Sequence, residues 1–285
     1  MLKALLRLFA RLPLPLIHGL GVMFGWIAYL SDKRFAKRIQ NNIASVDIAQ
    51  DQASRNQLAY QCVKETGKGL LESLAIWFRP PDSSLKWVKT CRGWEHVEKA
   101  LADKKGIIFL TPHLGCFEIT ARYYASTGPI SVLFKPARKG WMADIIEAGR
   151  SHSQIKLAPT TMRGIRSLLK ALRNGEAIGI LPDQVPDAGD GVWASFFKQP
   201  AYTMTLVSKL AEASQATVLV AFGERLSWGR GYIIHIEPLG VEATPQNMND
   251  AIECLVRQKP EQYLWSYGRF KQPRQHVETA KIASD

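Results

Sequence analysis

The sequence predicts an α/β fold: a largely parallel mixed sheet flanked by helices, preceded by a membrane-attached helical segment at the N-terminus. Three observations predict it. Beyond residue 105, apolar runs of strand length alternate with stretches at helical spacing, the rhythm of βαβ units. The first 30 residues join a basic amphipathic stretch to an uncharged apolar one. The chain has 285 residues, 46% apolar and 22% charged. Such fractions exclude disorder, collagen and a polytopic membrane protein, and the length suffices for one sizeable core.

Residues 1–12 read MLKALLRLFARL. Lys3, Arg7 and Arg11 recur every four residues and share a helix face, while Leu2, Leu5, Leu6, Phe9 and Leu12 cover the rest. That is the pattern of a helix lying on an anionic bilayer. Residues 12–30, LPLPLIHGLGVMFGWIAYL, carry no formal charge. As a helix they would be about 28 Å long, close to the thickness of a bilayer core. Lys33, Arg34, Lys37 and Arg38 follow, a slightly larger basic cluster than the one before, which places the body of the chain in the cytoplasm. No small-residue cleavage site follows the apolar run, so a signal peptide fits poorly. A pair of core helices broken by Pro13 and Pro15 is the plainer reading of the same residues. Residues 1–30 are therefore assigned to a membrane anchor and residues 31–285 to one domain with a helical N-terminal extension.

Residues 35–78 read as helix, interrupted near 46–51 and stopped at Arg79-Pro80-Pro81. The alternating region follows. GIIFLTPH (106–113), ISVLF (130–134), AIGILPD (177–183), TVLVAFG (217–223) and GYIIHIEPL (231–239) are strand candidates. Residues 119–125, 141–151, 163–173 and 203–214 are helix candidates.

Lys plus Arg number 37 and Asp plus Glu 25, a net charge of +12. Such an excess predicts an anionic partner. There is no nucleic-acid-binding module, no His/Cys/Asp/Glu cluster at metal spacing, and no phosphate-binding glycine loop; neither a metal nor a nucleotide cofactor is expected. Cys62, Cys91, Cys116 and Cys254 are scattered, which argues against a disulfide scaffold and suits a reducing compartment.

In an open α/β sheet, ligands gather beyond the carboxyl ends of strands. His113 stands there, after the first apolar run, and Glu118 follows in the first turn of the next helix. The expectation is that Glu118 holds one ring nitrogen of His113 and leaves the other free as a base for a hydroxyl. A hydrogen-bonded loop histidine and a carboxylate favoured by the helix dipole would look the same. Cys116, inside the same motif, is expected to be buried filler rather than a nucleophile, and His152 and His235 to be structural.

The segments TPHLGCFE (111–118), FKPARKGWM (134–142), MRGIRSLLKALRNGEAIGILPDQ (162–184), FFKQPAYT (196–203) and YLWSYGRFK (263–271), together with the N-terminal anchor, resemble the bacterial lipid A biosynthesis acyltransferases. These are late lauroyl/myristoyl transferases within the HxxxxD/E group of lysophospholipid and glycerophosphate acyltransferases. The resemblance runs in order over nearly the whole chain. Val185-Pro186-Asp187 stands where the pattern has a glycine soon after Asp183-Gln184.

This resemblance implies transfer of a fatty acyl chain from an acyl-carrier-protein thioester to a hydroxyl of a lipid A precursor. The reaction would take place at the cytoplasmic face of the inner membrane, with His113 and Glu118 catalytic and no covalent enzyme intermediate. Arg163 and Arg138 are candidates to stabilise charge or hold acceptor phosphates, with Lys135, Asp183 and Gln184 also in the substrate site. Asp183 is expected to pair with one of those arginines or with an acceptor hydroxyl. Arg166, Lys170 and Arg173 join them as candidate basic surface. Trp193, Phe196, Phe197, Leu206, Val207 and Leu210 would line an acyl tunnel or fill the core. A related acyltransferase acting on a glycerophospholipid, a mannosylated lipid or an amino-acid lipid is the alternative.

Overall fold

A computed structural model describes residues 2–135, 140–150 and 154–274; Arg138, Lys139 and His152 lie outside these. The chain opens with four helices, α1 (Leu2–Phe9), α2 (Leu14–Ser31), α3 (Lys33–Ala44) and α4 (Gln52–Phe78). Each break has a local cause. Pro13 and Pro15 fix the entry to α2, where a missing N–H costs nothing. Asp32 caps α3, accepting the N–H groups of Arg34 and Phe35 at 2.8 and 3.2 Å, and Asp51 caps α4 through Ser54 N–H at 2.7 Å. Pro80 and Pro81 end α4.

The rest alternates: α5 (Pro81–Leu85), β1 (Val88–Arg92), α6 (Trp94–Asp103), β2 (Ile107–Leu110), α7 (Phe117–Tyr124), β3 (Ile130–Phe134), α8 (Gly140–Arg150), β4 (Ile155–Pro159), α9 (Met162–Arg173) and β5 (Ala177–Ile180). A hairpin, β6 (Gly191–Phe196) and β7 (Gln199–Met204), leads to α10 (Leu206–Ser214), β8 (Thr217–Arg225), β9 (Tyr232–Pro238) and α11 (Pro245–Gln258).

Seven strands form one sheet in the order β1-β9-β8-β2-β5-β3-β4, parallel except for the β8–β9 pair. The predicted mixed, mainly parallel sheet flanked by helices is therefore observed. Its central strands, IIFL and AIGI, are buried at every position because helices cover both faces. Ile107 and Phe109 enter the core on one face, Ile108 and Leu110 the core on the other. The helix expected over 203–214 begins only at Leu206, because Thr203 and Met204 belong to β7.

The apolar helix α2 is docked on α4. Ile17, His18, Gly21 and Gly25 are buried. The contact is backbone against backbone: a Cβ added at Gly67 of α4 would stand 2.0 Å from the Gly21 carbonyl oxygen. His18 Nε2 bonds Glu72 Oε2 at 2.9 Å inside a buried charge cluster. Arg225, at the end of β8, donates through Nε to the same Glu72 oxygen at 2.9 Å and through Nη1 to Glu65 at 2.6 Å; the Tyr232 hydroxyl donates to Glu72 at 2.8 Å. The other side of α2 faces outward, with Leu16, Met23, Phe24, Ile27 and Leu30 exposed; Leu2, Leu5 and Leu8 of α1 are exposed as well.

Gly67→Val should therefore force the two helix backbones apart. We expect Tm to fall by about 3–10 °C, from an overpacking cost of ~1–3 kcal/mol, measured by a thermal melt. An unchanged Tm would mean that α2 does not dock on α4.

Candidate active site

His113 and Asp183 are brought together by strand register. β2 and β5 are parallel neighbours with Leu110 opposite Ile180. Three residues past each of these, at the carboxyl edge of the sheet, stand His113 and Asp183. Thr111 N–H still donates to Ile180 O at 2.9 Å, so the two chains leave the sheet side by side. Asp183 Oδ1 then accepts from His113 Nδ1 at 2.8 Å, and Oδ2 accepts the His113 backbone N–H at 2.9 Å. Because a carboxylate only accepts, Nδ1 carries the ring proton and Nε2 keeps its lone pair. The Gln184 amide donates to Nε2 at 3.1 Å.

The loop after His113 is pinned tightly. Gly115 adopts a φ of +58°, and a Cβ there would lie 2.1 Å from the Gly223 carbonyl oxygen. Cys116 N–H donates to that oxygen at 2.8 Å, Gly115 N–H to Gln262 O at 3.0 Å, and Leu264 N–H to His113 O at 3.0 Å. The C-terminal segment thus braces the histidine from behind.

The expected partnership between His113 and Glu118 is replaced by another. Glu118 lies in the first turn of α7 but is held by Arg150, the last residue of α8. Arg150 Nε donates to Oε1 and Oε2 at 3.0 and 3.2 Å, and Nη2 also donates to Oε1. Asp183, expected to pair with Arg163, Arg138 or an acceptor hydroxyl, holds the histidine; Arg138 lies outside the described residues. Its burial is nearly complete at 3% exposure. Burial pushes its carboxyl up, but the His113 ring, the His113 N–H and the nearby Arg269 outweigh that and leave it below the usual carboxylate range.

The remaining candidates are dispersed. Arg163 is exposed on α9, where Arg166, Lys170 and Arg173 share the solvent side opposite buried Leu168 and Leu172. Lys135 is exposed and bonds Asp187 at 2.8 Å. Arg138 lies outside the described residues. Gln184 is brought to the histidine. Cys116 is buried, and its thiol is held well above the ordinary value, first by burial and then by the charge of Glu72. Such a thiol stays protonated and is a poor nucleophile. His235 is bound to Glu224 at 2.9 Å and stacked on Phe222. Phe196, Phe197, Val207 and Leu210 are core, and Trp193 is exposed.

The cavity lies elsewhere, between α7 and the sheet. It is narrow, about 50 Å³ and partly open to solvent, walled by Phe109, Ile130, Val132, Ile155, Leu157 and Ile180, with Thr111, Glu118, Thr120 and Arg150 among its polar groups. Phe117 also lines it, and its ring centroid is 5.0 Å from that of His113, so histidine and cavity share a wall. Arg150, Arg122 and Trp77, which line it as well, were not anticipated from the sequence; each sits in a helix with no local motif around it.

A histidine fixed by a buried carboxylate thus stands beside a narrow, mainly apolar cavity. The family model for bacterial lipid A biosynthesis acyltransferases matches residues 1–272, and the chain belongs to that family. It is 27% identical over 274 residues to the lipid A biosynthesis lauroyltransferase of Escherichia coli K12, covering 93% of this chain and 89% of that protein. It is 26% identical over 277 residues to the palmitoleoyltransferase of the same strain, covering 93% and 88%. To the myristoyltransferase it is 23% identical over 188 residues, covering 61% and 56%. The chain is accordingly an acyltransferase of lipid A biosynthesis.

Asp183 and Glu72 are both buried carboxylates held below their ordinary range, Glu72 mainly by Arg225 against the opposing effect of burial. A depressed folded-state value stabilises the fold above the unfolded values of about 3.9 and 4.3, and that contribution disappears as pH falls through the folded ones. Chemical denaturation should therefore give a stability insensitive to these two groups above about pH 5 and declining below about pH 4. Asp183→Asn should flatten part of the decline; an identical profile would remove Asp183 from the linkage.

Proposed function

We propose that the protein moves a fatty acyl chain from an acyl-carrier-protein thioester to a hydroxyl of a lipid A precursor, with His113 as general base and Asp183 as the group that positions it. The observation that carries this reading is the Nδ1–Asp183 bond, which leaves Nε2 free to accept, on a ring packed against Phe117 of the cavity wall. The acceptor hydroxyl displaces the Gln184 amide from Nε2 and gives up its proton as its oxygen attacks the thioester carbonyl. The carbon–sulfur bond breaks, the ester bond forms, and the imidazolium returns the proton to the departing thiolate. Asp183 stabilises the transient imidazolium and remains ionised. The donor's chain enters beside α7, widening the narrow cavity there, and Glu118 holds Arg150, whose guanidinium can face the oxyanion. One methylene contributes only about 0.8 kcal/mol of burial, so a physical stop, rather than affinity, sets the chain length.

The same reading places the enzyme on the cytoplasmic face of the inner membrane. The outward leucines of α1 and the outward face of α2 enter the lipid, while Lys3, Arg7, Arg11 and the cluster Lys33, Arg34, Lys37, Arg38 meet anionic headgroups. Because the Gly21/Gly25/His18 side of α2 is occupied by α4, α2 lies along the interface instead of crossing it.

Purified protein given mixed acyl-carrier thioesters and candidate lipids, read by mass spectrometry, tests the reaction. Lipid A precursor should gain one acyl mass; consumption of lysophospholipid with precursor untouched would overturn the acceptor. His113→Ala and Asp183→Ala should each lower kcat by about 10²–10⁴-fold with folding retained. Full activity in a folded Asp183→Ala variant would return the positioning role to another group.

Replacing Leu5, Leu8, Phe24 and Ile27 together by Glu should abolish sedimentation with phosphatidylglycerol vesicles without unfolding the protein. Retained binding would show that another surface anchors it.

A further inference from the structure

The C-terminal segment touches both loops of the candidate site, and one of its side chains takes no part in the transfer reaction. Residues 262–267 pass behind His113, where Leu264 N–H donates to the His113 carbonyl at 3.0 Å. Three residues later the segment reaches the other loop: the Tyr267 hydroxyl accepts the Val185 N–H at 2.9 Å. Tyr267 is itself braced. Its carbonyl and that of Trp265 both accept from Asn42 Nδ2 of α3, each at 2.7 Å, and the Lys271 ammonium lies 4.4 Å from its ring centroid. The hydroxyl is therefore presented by a fixed backbone.

Gln184 stands between two anchored neighbours. On one side Asp183 is buried and bonded twice to His113. On the other, Val185 is bonded to Tyr267. The Gln184 side chain is exposed, and its one hydrogen bond among the described residues is to His113 Nε2, at 3.1 Å. No packing fixes that amide, so its aim is set by the backbone that carries it. Pro186 follows, which confines Val185 to extended conformations and offers no N–H of its own. Over residues 184–186 the Val185–Tyr267 bond is the one backbone hydrogen bond among the described residues. This is the stretch, Val185-Pro186-Asp187, that stands where the family pattern has a glycine.

We propose that Tyr267 is a positioning residue of this site: through the Val185 N–H it holds the Gln184 amide against Nε2 of His113. The inference rests on the reading of His113 as the general base. An N–H aimed at Nε2 favours the neutral ring, so Tyr267 helps keep the base unprotonated until an acceptor hydroxyl takes the amide's place. The other groups around the ring act at its far side. Asp183 is bonded to Nδ1, Tyr263 and Arg269 act on Asp183 in turn, and Phe117 is apolar.

The test compares wild type with Tyr267→Phe, Gln184→Leu and the double variant, each checked for folding by a thermal melt. Tyr267→Phe removes one oxygen and keeps the ring over which Lys271 sits. NMR titration of the His113 ring, assigned by its disappearance in His113→Ala, gives the pKa without reference to turnover. Tyr267→Phe should raise that pKa by about half to one unit, the worth of one neutral hydrogen bond. Gln184→Leu should raise it equally, and the double variant no further, because both substitutions disable the same contact. The acid limb of the kcat/KM profile should move up by the same amount. A purely structural role for Tyr267 would lower the melting temperature and leave the His113 pKa in place. An unchanged pKa in either single variant, or shifts that add in the double variant, would overturn the proposal. Should wild type transfer no acyl group, the reading of His113 as the base fails, while the titration still decides whether Tyr267 sets Gln184 against the ring.

Discussion

The active-site arrangement depends on one hydrogen-bonded carboxylate. Asp183 is buried, and an ionised carboxylate in such a place is tolerated only when its lone pairs are met. Here they are met by a single residue twice, through the ring and the backbone N–H of His113. The two bonds fix different things. The ring bond sets the tautomer and the direction of the imidazole; the backbone bond sets the height of the loop above the sheet. Both follow from the parallel pairing of β2 with β5, since a register slip of one residue would send one of the two side chains to the opposite face.

Helix α7 then distributes the chemistry. It starts where the pinned loop ends, so the first-turn position of Glu118 is determined by the same backbone bonds that hold His113. One turn later the helix delivers Arg122 to the cavity wall. Helix α4 closes that wall with Ile76 and Trp77 and, farther up its length, carries Glu72 and Gly67. A single rigid rod therefore connects the wall of the cavity with the docking face of the apolar helix. That link is consistent with an enzyme whose substrates reach it from a lipid surface.

Much of this was legible in the sequence. The strands IIFL, ISVLF, AIGI and the last two were readable because continuous apolar runs are what parallel, doubly covered strands require. His113 was readable from its position past a strand end. Its partner was not: sequence proximity favoured Glu118, whereas parallel pairing placed a residue 70 positions away in register. Arg150 was illegible for the same reason, being an ordinary basic residue in the last turn of a helix until the fold sets it against Glu118. The β6–β7 hairpin was missed because its turn residues, Phe197 and Lys198, both take positive φ without the Asn or Gly that normally marks such a turn. Packing of Phe197 into the core stands in for the usual local signal. In β4, Lys156 and Pro159 disguised an edge strand, where a proline is tolerated.

Helix α2 shows how burial divides an apolar helix that length and hydropathy treat as uniform. Residues 14–31 are long and apolar enough to cross a bilayer, yet the pattern within them is not uniform. Gly21, Gly25 and His18 fall on one side, and that side is matched by Gly67 and Glu72 on α4. A crossing helix would have to take its partner along, and α4 carries Lys64, Glu65, Lys68 and Glu72 over the same stretch, charges that hydrocarbon does not accommodate without compensation. Separating the helices is no easier, because Glu72 would lose its buried bond to His18 and the close backbone contact at Gly21 and Gly67 would open. The apolar character of α2 is therefore divided between a small-residue face that packs against protein and a large-residue face that is exposed.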